Sequence, residues 1–243
     1  MSLFVLTNDD GIGAPGIEAL RAAVTALGET VVVAPNAHLS GCSHQLNRGN
    51  AITIDRRTES DYAIGGMPAD CSRVAINHLY PAVDWVLSGI NAGGNLGSDT
   101  YVSGTVAAVR EATLLRKRAI AISQYRHRGE PYNWPRATRL TKKVLQTLLS
   151  KDLAEGEFWN VNLPAAPAGV GPDSGPDSGP DGGPDDPEMV FCDRCTQPLP
   201  TEFVVDAAGF RYAGAYENRL RDAGADVDVC FGGRISIVKI RMW

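Results

Sequence analysis

Long apolar runs are missing from these 243 residues. No stretch reaches the roughly 18 apolar residues that a membrane-spanning helix requires, so no membrane role is expected. Basic charge is thin as well. Lys and Arg number 23 against 28 Asp and Glu, a formal charge of -5, which argues against a scaffold for nucleic-acid polymers. Lysine is scarcer still, five residues against 18 arginines. The five cysteines are odd in number and scattered, which excludes a disulfide framework. Cys192 and Cys195 form one Cys-x-x-Cys pair with no second, a weak zinc signal. No basic leader or cleavage site precedes the first apolar run, and a cytoplasmic protein is expected.

What is present is an α/β pattern. Leu3-Phe4-Val5-Leu6 is apolar without alternation, as suits a parallel strand buried on both faces. It stops at Asp9, Asp10 and Gly11. Ile17, Leu20, Val24 and Leu27 follow at helical spacing behind Pro15, and Thr30 to Ala34 is a second buried strand. This β-α-β opening predicts a doubly wound, mostly parallel sheet with right-handed crossovers. Further strands are expected at Ala51–Ile54 and Tyr62–Ile64, which suit a hairpin, at Asp84–Ile90 and at Ala119–Ser123. Phe158–Leu163 is expected to close the core sheet. Helices are expected after Pro68, after Ser103 and from Asn133 or Trp134, the last with Leu140, Val144, Leu145, Leu148 and Leu149 as its apolar stripe.

Three regions follow. Residues 1–165 form a Rossmann-like core. Residues 166–188 repeat Gly, Pro and Asp, lack the apolar surface that repays ordering, and are expected to be disordered. Removing the six carboxylates of this stretch takes the remaining chain to about +1. Residues 189–243, with Phe203–Val205, Phe210–Tyr212, Val227–Val229 and Ile235–Ile240, are expected to add strands outside the parallel core.

In a parallel sheet the strand ends share one edge, where such folds place their ligands. Asp9 and Asp10 end the first strand, Ser40 follows the second and Asn91 ends a later one. Carboxylate, hydroxyl and amide oxygens at one edge suit a hard divalent cation, Mg²⁺ or Mn²⁺. Ser103-Gly104-Thr105 opens a helix whose free N–H groups and dipole attract an anion. Turn and cap chemistry accounts for each piece alone; together they suit a phosphate ester. Gly11, Gly13 and Gly16 fit G-x-G-x-x-G, but the two Asp before them would repel a pyrophosphate. His38 and His44 lie in the Ser40 loop and read as solvated side chains, with help to a leaving oxygen as the alternative.

Five ordered motifs carry a family resemblance. They are Thr7-Asn8-Asp9-Asp10-Gly11 with Ala14-Pro15-Gly16-Ile17, Val32-Val33-Ala34-Pro35 with Ser40-Gly41-Cys42-Ser43, Gly66-Met67-Pro68-Ala69-Asp70-Cys71, Ser88 through Gly97, and Ser103-Gly104-Thr105-Val106. The chain resembles the SurE, or survival protein E, family over residues 3 to 123, and the likeness fades beyond residue 165. The resemblance implies a metal-dependent 5′-nucleotidase on a Rossmann-like fold, with 3′-nucleotide and polyphosphate hydrolysis as further activities. By motif, Asp9, Asp10, Ser40 and Asn91 would hold one divalent cation, Mg²⁺ or Mn²⁺. Asn95, Ser103, Gly104 and Thr105 would hold the phosphate. Asp9, Asp10, Asn95 and Ser103 would carry the catalysis, one of the Asp pair taking the proton of the attacking water. A homodimer or higher homo-oligomer is implied. Members commonly continue into a C-terminal helix used in subunit exchange; this chain stops at Trp243, which puts the contact on the strand-rich segment. The rival readings are a non-catalytic nucleotide-binding module and a metal-dependent transferase needing a second substrate.

Overall fold

The computed structural model describes residues 1–167 and 185–243. Residues 168–184, most of the Gly/Pro/Asp stretch, lie outside the described residues.

The first buried run is β1 (Ser2–Thr7), followed by helix α1 (Pro15–Val24) and strand β2 (Gly28–Pro35). The edge hairpin is β3 (Thr53–Arg56) and β4 (Asp61–Gly65), and α2 (Pro68–Val74) continues into a π-helical turn over Ala75–Leu79. Then come β5 (Trp85–Ala92), the single turn α3 (Asp99–Val102), α4 (Gly104–Leu114), β6 (Arg118–Gln124), α5 (Trp134–Leu148) and β7 (Glu157–Leu163). The last part holds β8 (Met189–Phe191), β9 (Phe203–Asp206), β10 (Gly209–Tyr212), α6 (Asp226–Phe231) and β11 (Ile235–Arg241).

One sheet runs β3-β4-β2-β1-β5-β6-β7-β11-β8. From β4 to β7 all neighbours are parallel, while β3 and β11 join antiparallel. The alternation of β1 builds two layers. Phe4 and Leu6 point to α1 and α5, where Ile17, Leu20, Leu140, Val144 and Leu148 complete one apolar cluster. Val5 points the other way, to Cys71, Ala75, Val106, Val109 and Ala112 on α2 and α4. Both faces of the strand are therefore dry, as its unbroken apolar sequence requires. Gly16 lets α1 lie against β5: a Cβ there would stand 2.0 Å from the Ile90 carbonyl oxygen.

Two strand expectations change. Phe158–Leu163 does not close the sheet, because β11 pairs with β7 and β8 pairs with β11. Val227–Val229 is helical, within α6. Its Val-Asp-Val alternation also fits one helical turn, with Asp226 and Asp228 at the N-terminal end where the dipole favours acids. Asp185, where the description resumes, is buried and forked onto Arg136 at 2.6 and 3.1 Å, with Arg139 at 2.7 Å. That pair anchors the returning chain to α5 before β8 begins. Among the described residues no helix is long and apolar enough to cross a membrane.

Candidate active site

Parallel strands bring the ends of β1, β2, β5 and β6 to one edge, and short local bonds set each loop. After β1, the Asn8 side chain closes a ring with Gly11, donating to its carbonyl at 2.9 Å and accepting its N–H at 3.1 Å. Asp9 and Asp10 are held inside that ring. The Leu39 N–H donates to the Asp9 carbonyl at 2.7 Å, which brings the Ser40 loop beside the acids. Ser40 itself is exposed.

Asp9 is buried, and Thr105 donates its hydroxyl to Oδ1 at 2.5 Å. Gly104 lies so close that a Cβ would sit 2.7 Å from the Asp9 Cβ and 2.8 Å from the Cys42 Sγ. The first carboxylate thus lies directly against the N-terminus of α4. Burial pushes its carboxyl up to about 6, and neighbouring Asp10 adds to the rise; the Thr105 hydroxyl and His38 pull the other way. Asp10 faces the end of β5, where Oδ2 accepts the Ala92 N–H at 3.1 Å and Oδ1 is 3.3 Å from His38 Nδ1. A register shift between Ser88 and Asn91 turns the end of β5. Asn91 then donates to the Gly93 carbonyl at 2.8 Å, leaving its Oδ1 as an acceptor for something else.

The anion side is equally built. Ser103 caps α4, its Oγ accepting the Val106 N–H at 3.1 Å. Asn95 is buried and donates to Ser123 Oγ at 2.8 Å. Its backbone is gripped by two asparagines of β7. Asn162 accepts the Asn95 N–H at 2.7 Å, and Asn160 and Asn162 donate to the Asn95 carbonyl at 2.9 and 3.1 Å. The Thr105 hydroxyl is spent on Asp9, so its contribution to an anion is its backbone N–H in the first turn of α4.

The sequence-predicted residues therefore gather in linked loops, with Ser40 attached through its neighbour Leu39. His44 is not a solvated loop residue: its Nε2 lies 2.9 Å from Glu111 on α4, which Arg73 also holds at 2.8 Å. Several supporting residues escaped sequence reading. Asn160 and Asn162 alternate in a buried strand, a period-two polar signal that places both on one face. Asp99, Tyr216, Arg219 and Asp226 carried no local signal at all. Asp99 accepts from Tyr216 at 2.6 Å and from Arg219 at 2.8 Å, and Asp226 accepts the Gly97 N–H at 2.8 Å. All tie the late part of the chain to the glycine-rich loop after β5.

The donor set tests well against a hard cation. Among the described residues no three His, Cys, Asp or Glu side chains cluster at metal-ligand spacing. Any ion here would rest on two carboxylates plus neutral amide and hydroxyl oxygens. Those are the ligands of a cation that keeps much of its water. Burial and the neighbouring acid disfavour the charge on Asp9, and a cation beside the pair would favour it.

Comparison with known proteins decides the family. The sequence profile of Survival protein SurE matches residues 4–172. The chain belongs to the SurE family. A Nostoc relative is 48% identical over 98% of this chain and 99% of its own length. A protein named 5′-nucleotidase SurE from Pelobacter propionicus is 42% identical over 68% of this chain and 66% of its own length. The crystal structure of the SurE protein from Aquifex aeolicus superposes with a TM-score of 0.81 at 27% identity, covering 99% of this chain and 94% of that one. The Nostoc likeness and the SurE-type fold both run through the C-terminal strands, so the expected fading of the resemblance beyond residue 165 does not hold.

Proposed function

We propose that this SurE-family chain is a metal-dependent phosphohydrolase that releases phosphate from nucleoside 5′-monophosphates. The observation that carries the reading is Asp9 packed against Gly104 and Thr105. A carboxylate pressed onto an anion-binding helix end makes sense when a cation and a phosphate share the space between them. The names of the Pelobacter and related SurE proteins, 5′-nucleotidases, support it.

Asp9, Asp10, Ser40 and Asn91 would hold one divalent cation, Mg²⁺ or Mn²⁺. When bound, such an ion draws charge from phosphoryl oxygens and lowers the pKa of water. The rest is done by the chain. The backbone N–H groups of Gly104 and Thr105, the Ser103 hydroxyl and the second amide hydrogen of Asn95 bind and orient the phosphate. They remain aimed at its equatorial oxygens as charge grows there during in-line attack. Asp9 or Asp10 takes the proton of the attacking water on a carboxylate oxygen. The hydroxyl in this set that meets a carboxylate, Thr105 on Asp9, is fully buried, so direct attack by water is the proposed route. The same set accommodates a 3′-ester or a terminal phosphate of a short polyphosphate.

A second copy of the chain is the proposed partner. Phe203, Val204, Val205, Phe210 and Tyr212 are exposed on the β9–β10 hairpin, which pairs with no other strand among the described residues. An isolated two-stranded ribbon with bare edges and apolar faces is stabilised by docking.

The test is phosphate release from a panel of 5′- and 3′-monophosphates and short polyphosphate, with Mg²⁺, with Mn²⁺ and with chelator. Release that needs the cation supports the proposal. Nucleotide binding with no release under any condition makes the chain a binding module, and release only with an acceptor alcohol makes it a transferase.

A further inference from the structure

The cavities at the carboxyl edge differ in their walls. The one beside Asp10 and Gly11, of about 410 Å³, is mostly loop backbone with Trp134 as its aromatic side. The one beyond Leu39, about 560 Å³, is lined by Asn47, Arg48, Asn50 and glycines and presents no ring. A third, about 450 Å³, gathers Tyr125, Tyr132, Tyr216 and Arg126 around Gly93 and Gly94. Those two glycines stand in the chain between Asn91 and Asn95, and the Gly93 carbonyl accepts the Asn91 amide at 2.8 Å, so one wall of this cavity is the loop that carries proposed metal and phosphate ligands.

Its wall is a stacked column. The Trp134 and Tyr132 rings lie 5.1 Å apart at 25°, and the Arg126 guanidinium carbon is 4.6 Å from the Tyr132 centroid. Arg126 donates through one terminal nitrogen to the Glu130 carbonyl. Its Nε is buried and has no hydrogen-bond partner among the described residues. An unmet donor beside a stacked arginine and three tyrosines fits a flat ring bearing acceptor nitrogens or oxygens. The volume is in the range that holds a small ligand.

We propose that this cavity is the nucleobase subsite, in which the outer face of the Arg126 guanidinium, held flat by Tyr132 behind it, stacks the base of a nucleotide whose phosphate lies at Asn95 and Ser103. The assignment rests on the nucleotidase reading and names where its specificity resides. Arg128 and Glu217 at the same cavity add one donor and one acceptor for the edge of the base.

The experiment compares adenosine monophosphate with ribose 5-phosphate, the same ester without a base, for the wild type, Tyr132→Ala and Arg126→Ala. Binding of adenosine alone is measured by calorimetry on the same proteins. The wild type is expected to prefer the nucleotide. In Arg126→Ala the ratio of the two kcat/KM values should fall about ten- to hundredfold, the weight of one base stack. Adenosine affinity should fall with it, and Tyr132→Ala should move both in the same direction. A wild type with no preference, or variants that keep both the preference and the adenosine affinity, overturns the subsite. If neither ester is hydrolysed by any protein, the phosphohydrolase reading fails, while adenosine binding lost in Arg126→Ala still supports the subsite.

Discussion

β1 and the β9–β10 hairpin are both short apolar strands, yet one has no exposed face and the other has little else. Phe4, Val5 and Leu6 are at most 1% exposed, whereas Phe210 is 79% exposed and Val205 61%. The difference is in their partners. β1 has a strand on each side and helices on both faces, while among the described residues β9 and β10 pair only with each other. The strand with complete surroundings carries the acids at its end. Precision of the site comes from that closure, and the hairpin leaves its apolar surface uncovered. Between them runs a connection: the segment after β10 folds back and holds the glycine-rich loop after β5 through Asp99.

The contrast is broken most severely at β1. Asp9→Asn and Asp10→Asn should each lower phosphate release by about a thousandfold or more, the scale lost with electrostatic groups in a preorganised site. Circular dichroism should show the fold retained. Full activity of either variant in chelator would remove both the metal and the acids from the mechanism. Gly104→Ala comes next, since the methyl must displace Asp9 or Cys42. A shift near 1 Å predicts a loss of about a hundredfold in kcat, and wild-type kinetics would mean that the helix end does not touch the reacting group.

The connecting segment is tested by Arg219→Ala. Arg219 is buried on Asp99, and removal leaves that carboxylate without its ion pair, a cost of about 3–5 kcal/mol in thermal or urea unfolding. Tyr216→Phe removes only one bond to the same carboxylate and should cost about 2 kcal/mol. A larger loss in Tyr216→Phe than in Arg219→Ala would reverse the proposed order of the two contacts. The hairpin should be the gentlest site. Phe210→Ser is expected to change the unfolding energy by less than about 0.5 kcal/mol, yet to shift sedimentation toward the monomer. A variant that sediments like the wild type removes the hairpin from the interface.

The sequence was most readable where chemistry is local. Buried runs without alternation announced β1, β2, β5 and β6, and the Asp pair, Asn91 and Ser103 sat at the ends where strands must stop. Pairing across distance left no such mark. Nothing in Ile235–Arg241 says that it lies beside Glu157–Leu163 and runs the other way, so the extension of the sheet past its parallel core is not legible in the sequence. Val227–Val229 satisfied both periods, and burial on α6 decided for helix. In the site, the metal and phosphate candidates were legible as strand-end polar residues. Arg219 and Tyr216 were not, because a cation and a phenol gain meaning only from the carboxylate they meet across more than a hundred residues.

The place of β11 in the sheet has a consequence for synthesis. Among the described residues β8 pairs with β11 alone, and β11 is the bridge that joins it to β7. While the chain is being made, β1 to β7 can assemble in order as each emerges. β8 then waits with both edges unpaired until α6 and β11 follow. For that interval the growing chain carries an open edge at β7 and an orphan strand, the kind of surface that chaperones cover. The active-site edge is on the half of the sheet that assembles early, and the seam most open to misassembly is at the other side.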